Sequence, residues 1–143
     1  MEVIDARNLI VGRLATHVAK RLLRGESVTV VNAEEGIISG SRTYILAKYL
    51  HRRERKSIVN PARHGPFFPR RPEAILRRAV RGMLPYEKAR GREAYKRLKV
   101  FLGVPEELKG AAAETVVEAD ASKLRVPKYM KLGELSQLMG AKL

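Results

Sequence analysis

The chain has no cysteine and no tryptophan, and only two aspartates, Asp5 and Asp120, among its 143 residues. Without cysteine there is no disulfide framework, no thiol nucleophile and no thiolate metal site. The three histidines, His17, His51 and His64, lack metal-ligand spacing. The two aspartates lie far apart, so no carboxylate dyad or catalytic triad is proposed by spacing. No apolar run approaches the ~20 residues that a spanning helix needs. The first residues, Met1-Glu-Val-Ile-Asp5, have neither a basic n-region nor an apolar h-region, and no secretory signal is read there. The expectation is a cytoplasmic protein that is not an enzyme, with no cofactor, no metal, no membrane and no small-molecule substrate.

What the chain has is positive charge in one place. The formal net charge is +14. Residues 51–99 hold 16 Lys and Arg against 4 Glu, whereas the other 94 residues hold 13 basic and 11 acidic side chains. Charge concentrated in a third of the chain is either neutralised by a polyanion or endured as self-repulsion. Arginine outnumbers lysine 12 to 4 in this stretch, and the guanidinium fork suits bidentate phosphate contact. A hydrophobic fraction of 45% and a length of 143 residues suit a single domain over 1–143 with its own core.

In chain order, Glu2–Ala6 reads as a short strand. From Gly12, Leu14, Ala15, Val18, Ala19, Leu22 and Leu23 recur at helical spacing up to Gly25. Ser27–Val31 is β-branched and reads as a strand buried on both faces. A strand, a helix and a strand this close imply a parallel βαβ unit. Glu35–Ile38 adds a short extended piece. A second helix begins near Ser39–Ser41, where a serine can cap free amides, and runs into His51–Lys56. Asn60–Pro72 is too rich in Pro and Gly for regular structure and reads as an extended basic loop.

A third helix starts at Pro72, with Ile75, Leu76, Ala79, Val80, Met83 and Leu84 facing inward and Arg77, Arg78 and Arg81 outward. Tyr86–Leu98 reads as a basic helix weakened by Gly91, Lys99–Gly103 as a strand, Thr115–Glu118 as extended, and Lys131–Met139 as a closing helix. Strand–helix alternation gives an α/β fold of three layers.

The strand–Gly12–helix junction lacks the further glycines of a dinucleotide fingerprint and has no Gly-Lys-Ser/Thr, so it reads as a plain tight turn. The basic stretch is the functional candidate. Arg52, Arg53, Arg55, Lys56, Arg63, Arg70, Arg71, Lys88, Arg90, Arg92 and Lys96 are candidate phosphate contacts, with Arg77, Arg78 and Arg81 beside them on the third helix. His64 sits among these arginines. Phe67 and Phe68 either stack on unpaired RNA bases or anchor the loop on the core. A sequence-nonspecific DNA or chromatin protein and a nucleotide-using α/β enzyme are the competing readings.

Several segments also resemble one family. They are Val3-Ile-Asp-Ala6, Gly12-Arg-Leu-Ala15 with Val18-Ala19, Val30-Val-Asn-Ala-Glu34, Ser39-Gly40, and above all Val80-Arg-Gly-Met-Leu-Pro85 followed by Lys88 and Arg90-Gly91. Together they resemble large-subunit ribosomal protein thirteen in its archaeal and eukaryotic form. The likeness runs through about Val104, and more loosely into the last helix. It implies a four-stranded, mostly parallel α/β/α domain that binds large-subunit ribosomal RNA and supports assembly. It also implies neighbouring large-subunit ribosomal proteins as partners and no catalysis.

Overall fold

The computed structural model describes all 143 residues, Met1–Leu143. Strand β1 (Glu2–Asp5) leads into helix α1 (Val11–Leu23) and back to strand β2 (Val28–Val31). The two strands pair in parallel, Glu2 beside Val28 and Asp5 beside Val31, as expected of a βαβ unit. Helix α1 buries Leu14, Ala15, Val18, Ala19 and Leu22, the stripe its spacing requires, together with Val11 ahead of it, while Leu23 is only half-buried. It ends at Gly25, whose φ of +98° suits a residue without a side chain. All four residues of β2 are buried, because β2 is the central strand.

Strand β3 (Ile37–Ser39) is followed by helix α2 (Arg42–Glu54), where the Ser41 side chain accepts a hydrogen bond from the Tyr44 N–H. Ile45 is the only fully buried residue of α2, with Leu46 and Tyr49 partly covered. The chain then leaves regular structure until helix α3 (Pro72–Met83), which starts on its proline with Glu73 in the first turn. Helix α4 (Ala89–Lys96), strand β4 (Leu98–Val100), strand β5 (Tyr129–Lys131) and helix α5 (Leu132–Leu138) complete the regular elements.

The strand order is β1-β2-β4, all parallel, with β3 and β5 forming a separate antiparallel pair. The fold is therefore α/β. The four-stranded sheet implied by the resemblance is realised as three strands and a single bridge. Beside β1, Ile4 bridges Glu114 in parallel; the Asp5 N–H donates to the Glu114 carbonyl at 3.0 Å, and the Glu114 N–H to the Val3 carbonyl at 2.8 Å. This fourth segment cannot lengthen, since Ala111–Ala113 offer no β-branched surface and Val117–Ala119 close into a 3₁₀ turn. That turn also cuts short the extended segment expected over Thr115–Glu118.

Helices α1, α3 and α4 pack together against the β2–β4 side of the sheet, while α2 and α5 pack on the β3–β5 pair. One cluster of 26 buried residues joins them, from Ile4 and Leu14 through Val80 and Leu98 to Leu135.

Three local expectations need correction. The helix read over Tyr86–Leu98 starts three residues later, because Pro85–Lys88 form a turn and Lys88 has extended backbone, with a ψ of 150°. Its last residue, Leu98, belongs to β4, whose burial alternates in, out, in. Met83 is 43% exposed, although the helical stripe placed it inward. Leu84, just past the helix, takes the buried position instead.

Candidate nucleic-acid interface

The basic stretch occupies one continuous run of structure: the end of α2, the loop over 55–71, α3, the Pro85–Lys88 turn and α4. Contacts knit these pieces side by side. Arg53 of α2 donates to the Phe68 carbonyl at 2.8 Å, and Arg78 of α3 donates to the Phe67 carbonyl at 2.6 Å. Tyr49, Arg52 and Arg53 of α2 meet Ile75, Arg78 and Ala79 of α3 around a common hollow closed by Phe68 and Pro69.

The arginines of α3 face outward from the core, as their spacing requires, but they are not free. Each lies over an aromatic ring: Arg77 over Tyr95 at 5.0 Å, Arg78 over Phe68 at 5.6 Å, and Arg81 over Tyr86 at 5.3 Å. Tyr86 and Tyr95 in turn meet edge to face at 5.5 Å. Cation–π contacts of this kind hold α3, the turn and α4 in fixed relation. The sequence places Tyr86 and Tyr95 only on a helix, and no local signal pairs them with arginines five and eighteen residues earlier. Arg52 lies in the same way over Tyr49, at 5.3 Å.

The electrostatics separate this stretch from the rest of the chain. Of its 16 Lys and Arg side chains, Arg71 alone has a carboxylate partner, Glu73 at 2.8 Å. Elsewhere, five of the 13, Arg7, Arg21, Arg42, Lys109 and Lys131, are ion-paired. Arg55, Lys56, Arg63, His64, Arg70, Lys88, Arg90, Arg92 and Lys96 are exposed, and Arg92 donates to the Glu87 carbonyl at 3.2 Å. Burial, and secondarily the charge of Arg70, lower the pKa of Arg53 from the usual arginine value. Such a surface attracts a polyanion.

The Glu34 carboxylate accepts the Gly103 N–H at 3.0 Å and 3.1 Å and so ties down the chain leaving β4. Asn32 sits in the left-handed region with a φ of 54° and donates from Nδ2 to Asp5 at 2.9 Å. Both belong to the Val30–Glu34 segment and serve the scaffold. No group of three or more His, Cys, Asp or Glu side chains is placed to hold a metal ion.

An α/β core carrying one long cationic surface, with a single Arg–carboxylate pair inside it, belongs to the class of basic scaffold proteins that pair with a polyanion. The family model for ribosomal protein L13 matches residues 1–107. The large ribosomal subunit protein uL13 of Methanocaldococcus jannaschii is 52% identical over 142 residues, covering 99% of each chain. Its counterpart in Methanosarcina barkeri is 54% identical over 143 residues, again 99% of each, and that of Archaeoglobus fulgidus 47% over 139. The chain belongs to the ribosomal protein L13 family.

Proposed function

We propose that this chain is a structural constituent of the large ribosomal subunit, binding large-subunit ribosomal RNA through the surface formed by α2, the 55–71 loop, α3 and α4. The observation that carries the reading is the scarcity of ion pairs: 16 cations and four glutamates with one Arg–carboxylate pair among them. The exposed side chains Arg55, Lys56, Arg63, Arg70, Lys88, Arg90, Arg92 and Lys96 are the phosphate contacts, and recognition follows RNA shape more than base sequence. Neighbouring large-subunit ribosomal proteins are partners by the same reading, the setting is the cytoplasmic ribosome, and no catalysis is assigned. No helix is long and apolar enough to cross a membrane.

The test is filter binding of the purified chain to deproteinised archaeal large-subunit RNA across a salt series, with mixed-sequence duplex DNA as competitor. Retention of the RNA complex against excess DNA supports the reading. Equal displacement by DNA would transfer the chain to the sequence-nonspecific DNA-binding class.

A further inference from the structure

Two adjacent phenylalanines on the basic loop have opposite environments. Phe68 lies under the Arg78 guanidinium and lines the hollow of about 130 Å³ between α2 and α3. Phe67 is 58% exposed. Phe68 is half-buried, so whatever grips this backbone decides which of the two rings is left to solvent. The grip is arginine: Arg53 and Arg78 donate to the carbonyls of Phe68 and Phe67.

Little else holds the loop. Over residues 56–71 the only backbone amides donating to backbone carbonyls are those of Arg63 and His64, both to Asn60. The remaining constraint is a crossing point, where Gly65, at a φ of +111°, passes so near Ser57 that a Cβ would stand 2.8 Å from its nitrogen. Around the exposed ring lies an open groove walled by Arg53, Arg55, Lys56, Pro61 and Pro66, which the edge of Phe68 also reaches. An aromatic floor with cationic walls has the chemistry of one nucleotide, the ring for the base and the cations for the phosphates on either side.

We propose that Phe67 is a stacking platform for an unpaired nucleobase, and that Arg53 and Arg78 are positioning residues that hold it outward rather than phosphate contacts. This rests on the RNA-binding reading and refines it. A ring held in place before binding loses less entropy on docking than one on a free loop.

The experiment measures binding of the full chain to a short single-stranded oligoadenylate and to a blunt RNA duplex across a salt series. Phe67→Ala is expected to weaken oligoadenylate binding about tenfold and leave duplex binding unchanged, with Phe67→Tyr restoring it. The double variant Arg53→Lys, Arg78→Lys keeps both charges but loses the forked grip. It is expected to become protease-sensitive across residues 57–68 and to lose oligoadenylate affinity about as much as Phe67→Ala, with the salt slope unchanged. Should that variant lose its native thermal transition, the two Phe67 variants decide alone. Unchanged oligoadenylate affinity in Phe67→Ala overturns the platform, and an unchanged digestion pattern in a folded double variant overturns the positioning role. Failure of the parent chain to bind ribosomal RNA at all would instead overturn the broader RNA-binding reading.

Discussion

A Cβ added to Gly91 would lie 2.1 Å from the carbonyl oxygen of Pro85. The Pro85–Lys88 turn folds back onto the first turn of α4, with the Lys88 N–H donating to Pro85 at 3.0 Å and the Gly91 N–H to Lys88 at 3.1 Å. Glycine inside a helix costs about 1 kcal/mol against alanine, and here only glycine leaves room for the turn. The turn in turn sets Tyr86 beneath Arg81 and delivers Lys88, Arg90 and Arg92 to the surface.

Gly91→Ala is therefore expected to destabilise the fold by about 1–3 kcal/mol, the range for forced overpacking. Gly82→Ala is the control. Gly82 is an exposed glycine in α3 with nothing near its missing Cβ, and alanine there should gain about 0.5–1 kcal/mol. Urea unfolding of both variants measures the pair, and equal stability of Gly91→Ala and parent would contradict the close approach.

Val80 and Met83 separate the two faces of α3. Val80 is fully buried, whereas Met83 is exposed and its Sδ accepts a hydrogen bond from the Thr16 hydroxyl at 3.3 Å. Val80→Asp buries an unpaired charge and should cost about 3–5 kcal/mol, leaving little soluble native protein. Met83→Asp should keep a cooperative thermal transition. A native-like Val80→Asp protein would mean that α3 packs the other way round.

Counterion release predicts the salt dependence of RNA binding. With roughly ten phosphate contacts, the log–log slope lies near −7 to −9. Neutralising the unpaired, exposed Arg63 and Arg70 to Gln should flatten the slope by about 0.7–0.9 each while leaving the unfolding midpoint in place. An unchanged slope would remove the loop from the interface.

Acid should loosen the segment over 105–128. Arg21 donates two hydrogen bonds to Glu114 at 2.8 Å and one to Glu2, joining that segment to α1 and the edge of β1. The hydrogen bond from Arg21 holds the Glu114 carboxyl below its ordinary value, and the bond to Glu114 raises the Arg21 pKa in return. A carboxyl with a lowered native pKa contributes stability above its unfolded pKa and loses it as pH falls through the native one. The stability difference between parent and Glu114→Gln should accordingly be full at neutral pH and shrink below about pH 4.5. Unfolding midpoints across pH check this, and a difference that stays constant down to strong acid would contradict it.

Much of this fold is legible along the chain, and the reasons differ from element to element. Five of the six buried positions of α1, from Leu14 to Leu22, and the start of α3 at Pro72 depend on residues within four of each other, so periodicity and capping suffice; Val11 is buried ahead of the stripe and Leu23 only half so. The parallel pairing of β1 with β2 follows from a short crossover. The pairing of β3 with β5 joins residues about ninety positions apart, and three-residue strands carry no periodic signal. Lys131 reads as the start of the last helix, when it ends a strand.

The interface divides along the same line. Amino-acid order alone places sixteen cations within 51–99 and pairs them with the blocks that define the family, because charge density and motif order are properties of the chain. Three-dimensional packing alone decides which cations are already occupied. Arg77, Arg78 and Arg81 look equally free on a helical projection, yet each covers a ring outside its own helix, and of two neighbouring phenylalanines one is exposed and the other half-buried. A guanidinium's partner is whatever the completed fold sets within reach of it, and that distance is written in no local stretch of residues.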